Sequence, residues 1–103
     1  MKMNDFSDIF QSRLRLMIIS ALLSGNKTFK ELQTLTGATD GNISVQISKL
    51  EVAEFVTVKK SFVGRKPQTT LAITEKGRSE FKKYVRMLSE IVDEADKSVT
   101  DAD

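Results

Sequence analysis

Apolar residues near the start of the chain recur at helical spacing. Phe10, Leu14, Met17, Ile18, Ala21 and Leu22 fall on one face of a 3.6-residue period. Ser7 or Asp8 can cap this first predicted helix, and Gly25-Asn26 stops it. Thr28-Phe29-Lys30-Glu31 then reads as a capping box, with Phe29, Leu32 and Leu35 as the inward face of a short second helix. Gly37 suits a left-handed C-cap, and Thr39 or Asp40 restarts the chain as a helix to Glu51 whose buried stripe is Ile43, Ile47 and Leu50. Two short helices joined by a tight glycine-containing turn make a helix-turn-helix pattern.

Beyond Glu51 the period changes. Phe55 to Lys60 and Thr69 to Ile73 are rich in β-branched and aromatic residues. Gly64-Arg65-Lys66-Pro67 lies between them and predicts a two-stranded hairpin with a basic tip, with Pro67 placed before the second strand begins. Thr74 caps a last helix whose seam is Phe81, Tyr84, Val85, Leu88, Ile91 and Val92. That seam is longer than a small core requires. Residues 1–95 are expected to form one domain, with 96–103 as an acidic, disordered tail.

Charge sharpens this picture. Residues 1–86 hold 15 Lys or Arg against 8 Asp or Glu, whereas residues 87–103 hold Lys97 against six carboxylates. A basic body with an acidic end points to a polyanionic partner for the body. The face of the third helix opposite its buried stripe carries Asn42, Ser44, Val45, Gln46, Ser48 and Lys49. A solvated helix face is ordinarily rich in Glu, Lys and Arg. Short and neutral side chains suit close approach to base edges and phosphates.

The composition also excludes chemistry. The chain has no Cys and no His, which removes thiol nucleophiles, thiolate metal sites and the commonest general base. No enzyme, cofactor or metal site is expected, since no nucleophile can be assembled with a base. No apolar run approaches the roughly 20 residues that span a bilayer, and Met1-Lys2-Met3-Asn4-Asp5 has no signal-peptide core behind it. The expected setting is the cytoplasm, without a membrane partner.

Particular wording carries a resemblance. Phe29-Lys30-Glu31-Leu32, Asp40-Gly41-Asn42-Ile43-Ser44, Lys49-Leu50-Glu51, Phe55-Val56 and Leu71-Ala72-Ile73-Thr74-Glu75-Lys76-Gly77-Arg78 resemble the small MarR-like winged-helix transcriptional regulators. The resemblance covers about Ser12 to Tyr84. It implies a mainly α (α+β) fold, with a three-helix core, a two-stranded β wing and a C-terminal dimerisation helix. The family usually has glycine where this chain has Glu54, and often histidine or arginine where it has Val45 or Gln46.

The expected function is sequence-specific binding of double-stranded DNA by a homodimeric transcriptional regulator. Asn42 and Gln46 are assigned to base edges, Val45 to a thymine methyl, and Ser44, Ser48 and Lys49 to phosphates. Thr28, Lys30 and Thr39 lie at helix starts where a phosphate can be received. Lys60, Arg65 and Lys66 on the wing are assigned to flanking phosphates or the minor groove, and Lys59 equally to DNA or to protection of the strand. Phe6, Ile9, Phe10, Phe81, Tyr84, Leu88 and Ile91 are the expected dimer interface. Little sequence remains for a small-molecule effector pocket, so none is expected. The alternative is a winged-helix module for protein contact or assembly without DNA.

Overall fold

The computed structural model describes residues 8–101. A short 3-10 helix (Asp8–Gln11) leads into α1 (Arg13–Leu22), β1 (Lys27–Thr28), α2 (Phe29–Thr36) and α3 (Asp40–Val52). The hairpin β2 (Val56–Val63) and β3 (Lys66–Ile73) follows, and α4 (Glu75–Asp101) is the last described element. The sheet has three antiparallel strands in the order β1-β3-β2. The predicted two-stranded hairpin is therefore extended by β1, whose Lys27 and Thr28 pair with Leu71 and Thr70.

Several caps fall where the side chains predict. Thr28 and Glu31 form a reciprocal capping box on α2, and Gly37 ends that helix with φ 71. Thr39, not Asp40, caps α3 by accepting from the Asn42 amide at 3.2 Å. The first helix differs from expectation. Its cap is Ser12, which accepts from the Arg15 amide at 3.2 Å, and Phe10 belongs to the separate 3-10 helix. Ser12 wins because the chain turns between Gln11 and Arg13, and a hydroxyl is needed where the α-helical amides first lack partners.

Phe10, Ile18, Ile19 and Leu22 meet Leu32, the α3 stripe of Ile43, Ile47 and Leu50, and Phe55, Val56 and Leu71 in one core. Each fully buried aliphatic side chain stabilises by about 1.5–3 kcal/mol. Leu35, expected to face inward, is instead 58% exposed. It lies near the end of α2, where the cavity it shares with Leu16 and Met17 of α1 is left open.

The strands run further than the sequence predicts, pairing through Phe62↔Pro67 and Val63↔Lys66 around a two-residue turn. Gly64 supplies the positive φ of 64 that the first position of such a turn demands. Pro67 thus lies inside β3, contrary to expectation. In a two-residue hairpin the pair next to the turn carries the hydrogen bonds, so Pro67 occupies a non-hydrogen-bonded position on the β2 side. β1 reaches only Leu71 and Thr70 on the other side. Proline there removes no ladder bond.

The step into α4 explains a local motif. Thr74 accepts from the Gly77 amide at 2.9 Å and donates its hydroxyl to the Glu54 carbonyl at 2.7 Å. The Thr74 amide donates to the Phe55 carbonyl at 2.9 Å. A Cβ on Gly77 would stand 2.3 Å from that same carbonyl oxygen. Only glycine fits where α4 crosses the end of α3.

Candidate nucleic-acid interface

α3 is anchored at both ends, which fixes the face it turns outward. Its start is held by the Thr39 cap and by a hydrogen bond from the Gln33 side chain to the Asp40 carboxylate. Its end is a Schellman motif: the Phe55 amide donates to Leu50 and the Glu54 amide to Glu51, each at 2.9 Å. Glu54 takes the left-handed position with φ 66, the only described non-glycine residue to do so. Asn42, Ser44, Val45, Ser48 and Lys49 are all exposed, and the stretch from Gly41 to Leu50 contains no carboxylate.

Gln46 lies apart from them. It is partly buried at the flank of α3, and its side-chain carbonyl accepts a hydrogen bond from Arg15 of α1. The same guanidinium donates to the backbone carbonyls of Ile9 at 2.7 Å and Asp8 at 3.2 Å. Sequence reasoning did not single out Arg15. Nothing local marks a partner 31 residues away.

The hairpin tip gathers the second group of predicted residues. Lys59, Lys60, Arg65 and Lys66 are exposed, with Lys60 opposite Thr69 and Lys66 opposite Val63. Among the described residues the ion pairs are Lys76 with Glu54 and Lys83 with Glu80. Among the described residues no carboxylate pairs with the cations of the tip or of α3. Lys30, at the start of α2, borders a cavity of about 310 Å³ together with Lys66 and Pro67. Thr28, also on its border, is committed to the cap, since its hydroxyl accepts from the Glu31 amide at 3.1 Å. Phe62 and Val63, unremarked from the sequence, are 74% and 63% exposed beside the basic turn. An aromatic and a β-branched residue just before Gly64 were the available signal.

A helix-turn-helix followed by a basic hairpin is matched from outside the chain as well. The family described as winged helix DNA-binding domain matches residues 14–92. The chain belongs to that family. It is 40% identical over 79 residues to an uncharacterized protein of Methanocaldococcus jannaschii, covering 75% of this chain and 85% of the relative. A transcriptional regulator homologue from Pyrococcus horikoshii superimposes with a TM-score of 0.81 at 31% identity, covering 87% of this chain and 90% of the other. A MarR-family transcriptional regulator from Enterococcus faecalis shares the fold at a TM-score of 0.76 and 17% identity, covering 89% and 84%. The expected MarR-like winged-helix architecture is the one found.

In this winged helix α4 is the long element. Phe10 is 1% exposed and its ring meets Phe55 at 5.4 Å, Phe81 at 5.9 Å and Tyr84 at 5.0 Å. Phe10 therefore faces its own core, which corrects its assignment to a dimer interface. The reason is that the 3-10 helix folds its ring under the start of α4. Ile9, Phe81 and Tyr84 are partly buried against that core. Leu88 and Ile91 remain 40% and 39% exposed, with Val85 and Val92 beside them at 43% and 56%. Phe6 lies outside the described residues. The expected loose tail is helical as far as Asp101, because α4 continues without interruption. Among the described residues no helix is long and apolar enough to cross a membrane, and no three metal-ligating side chains gather.

Proposed function

We propose that this winged helix protein is a homodimeric transcriptional regulator that occupies specific double-stranded DNA sites. The supporting observation is the division of charge over one surface. From Gly41 to Leu50 α3 turns outward a face without carboxylates, and cations that no described carboxylate pairs lie at its end and on the wing. In this reading Asn42 and Val45 approach base edges in the major groove, and Ser44, Ser48 and Lys49 hold phosphates. Lys60, Arg65 and Lys66 meet the flanking backbone or minor groove, with Thr39 and Lys30 at the helix starts. Two subunits joined through the outer half of α4 present two α3 helices to half-sites about one helical turn apart. No dedicated effector forms part of this reading.

Fluorescence anisotropy on labelled duplexes across a salt series tests it. Affinity should fall steeply with salt, because binding releases counterions from several phosphates. Replacing Arg65 and Lys66 together by alanine should weaken all duplexes alike. The logarithmic salt slope should become shallower by about 2 per subunit. Absence of duplex binding by the intact protein at low salt overturns the proposal. The exposure of Phe62 and Val63 on the wing favours a second reading, docking on another protein. In that case the intact protein would capture a protein partner and bind no duplex, and Phe62→Ser would abolish that capture.

A further inference from the structure

The wing ends in an apolar pair that neither the core nor the phosphate contacts use. Residues paired across antiparallel strands stand on one face, and the face alternates along each strand. Val56 with Ile73, then Val58 with Leu71, turn theirs to the core. On the same face follow Lys60 with Thr69 and, last before the pair that flanks the turn, Phe62 with Pro67. This pair has passed beyond the cover of the helices: Phe62 is 74% exposed, and Pro67 is exposed too. Its register is the non-hydrogen-bonded one, in which facing side chains stand closest. A phenyl and a pyrrolidine ring thus share one blunt tip, on the sheet face that turns towards the helices.

The surroundings of the tip point to what it meets. From Val56 to Ile73 the hairpin carries Lys59, Lys60, Arg65 and Lys66 and no Asp or Glu. Lys60 precedes Phe62 by two residues, about 7 Å along the strand, and Arg65 lies in the turn beyond it. The centre of a protein–protein contact is rich in aromatic residues but depleted of charge, lysine included. An apolar tip hemmed by cations suits instead a partner that offers phosphates on either side of a stack of flat apolar faces. Duplex DNA is such a partner. Wedges of Phe or Pro entering its minor groove part neighbouring base pairs and kink the helix.

We infer that Phe62, backed by Pro67, is a wedge that enters the minor groove between two base pairs and bends the site. Lys60 and Arg65 hold the phosphates beside the opened step. The inference rests on the DNA-binding reading proposed above and adds to it the deformation of the duplex. Unstacking costs least at the flexible pyrimidine–purine steps, TA and CA/TG, so such a step belongs under the wing. Deformability, rather than a hydrogen bond to a base edge, then sets the preference at that position.

Sites selected from a random duplex pool by the intact protein, then labelled at both ends for energy transfer, test it. The wild type should bend them by about 20–90°, and their flanks should be enriched in TA or CA/TG steps. Phe62→Ser should leave the duplex nearly straight, flatten the flank preference and weaken affinity about five-fold or more. The salt slope should stay the same, because no cation is lost. Phe62→Leu keeps an apolar wedge and should retain most of the bend. The side chain is exposed, so both variants should melt as the wild type does.

A straight duplex in the wild-type complex overturns the wedge. So does a Phe62→Ser protein that bends its sites as the wild type does, or a Phe62→Leu protein that leaves them as straight as the serine variant. In each of those cases bound sites still appear and the DNA-binding reading stands. A wild-type protein that enriches no duplex at all overturns both.

Discussion

Glu54 occupies the left-handed end of α3 with φ 66, where a Cβ costs roughly 1–2 kcal/mol. Its exposed carboxylate lies 4.0 Å from the Lys76 ammonium, and such surface pairs contribute little. The backbone of Glu54 matters more, since its amide closes the Schellman motif and its carbonyl accepts from Thr74. Glycine keeps both and removes the strain, at some cost in chain entropy. Glu54→Gly should therefore raise unfolding stability by about 0.5–1 kcal/mol in urea melts. A loss of stability would show that the Lys76 contact outweighs the backbone term. The departure from glycine was legible in the sequence, but its consequence was not. A helix ending differently or a strained backbone both fitted the residues, and the position of Phe55 under α4 decided between them.

At the scale of elements, α2 shows what local chemistry contributes. The backbone N–H of Thr28 donates to the Glu31 carboxylate at 3.0 Å. That bond, then the Thr28 side chain and the nearby Lys27 charge, holds the Glu31 carboxyl below its ordinary pKa. A folded-state value below the unfolded one means that this contribution is present at and above neutral pH. It is lost as pH falls through the depressed value. Thr28→Ala should cost about 1 kcal/mol, read as a lowered thermal midpoint at neutral pH. Glu31→Gln should in addition weaken the acid dependence of that midpoint, and an unchanged acid limb would contradict the assignment. The capping box was legible because its partners are three residues apart. The exposure of Leu35 was not, because helical spacing marks an apolar stripe without saying how far the facing helix covers it.

The molecule as a whole measures 65 × 24 × 23 Å, and α4 accounts for the long dimension. Its 27 residues extend about 40 Å, and from Leu88 to Lys97 no residue is buried within the subunit. Val85, Leu88, Ile91 and Val92 leave an apolar stripe exposed on a chain small enough for its single core to be marginal. The proposed dimerisation along that stripe would give it a partner. Leu88→Glu combined with Ile91→Glu should convert the protein from dimer to monomer in sedimentation equilibrium and weaken its duplex affinity. A wild-type protein that sediments as a monomer at micromolar concentration would remove the dimer from the proposed function.

The sequence by itself determined the order of the four helices and the hairpin, the caps at Thr28, Gly37 and Thr74, and the buried stripe of α3, while it left the α3 cap between Thr39 and Asp40. Each of these is set by residues a few positions apart, through hydrogen bonds and periodicity that do not depend on the rest of the fold. It also marked the uncharged face of α3 and the basic hairpin tip. Only the tertiary structure decided that Phe10 is enclosed by Phe55, Phe81 and Tyr84, that Leu35 is left open, and that Gly77 must pass a backbone carbonyl. The same holds for Gln46, whose carbonyl is occupied by Arg15. Burial and hydrogen-bond partnership join residues far apart in the chain, and one sequence carries no local record of which distant group will arrive.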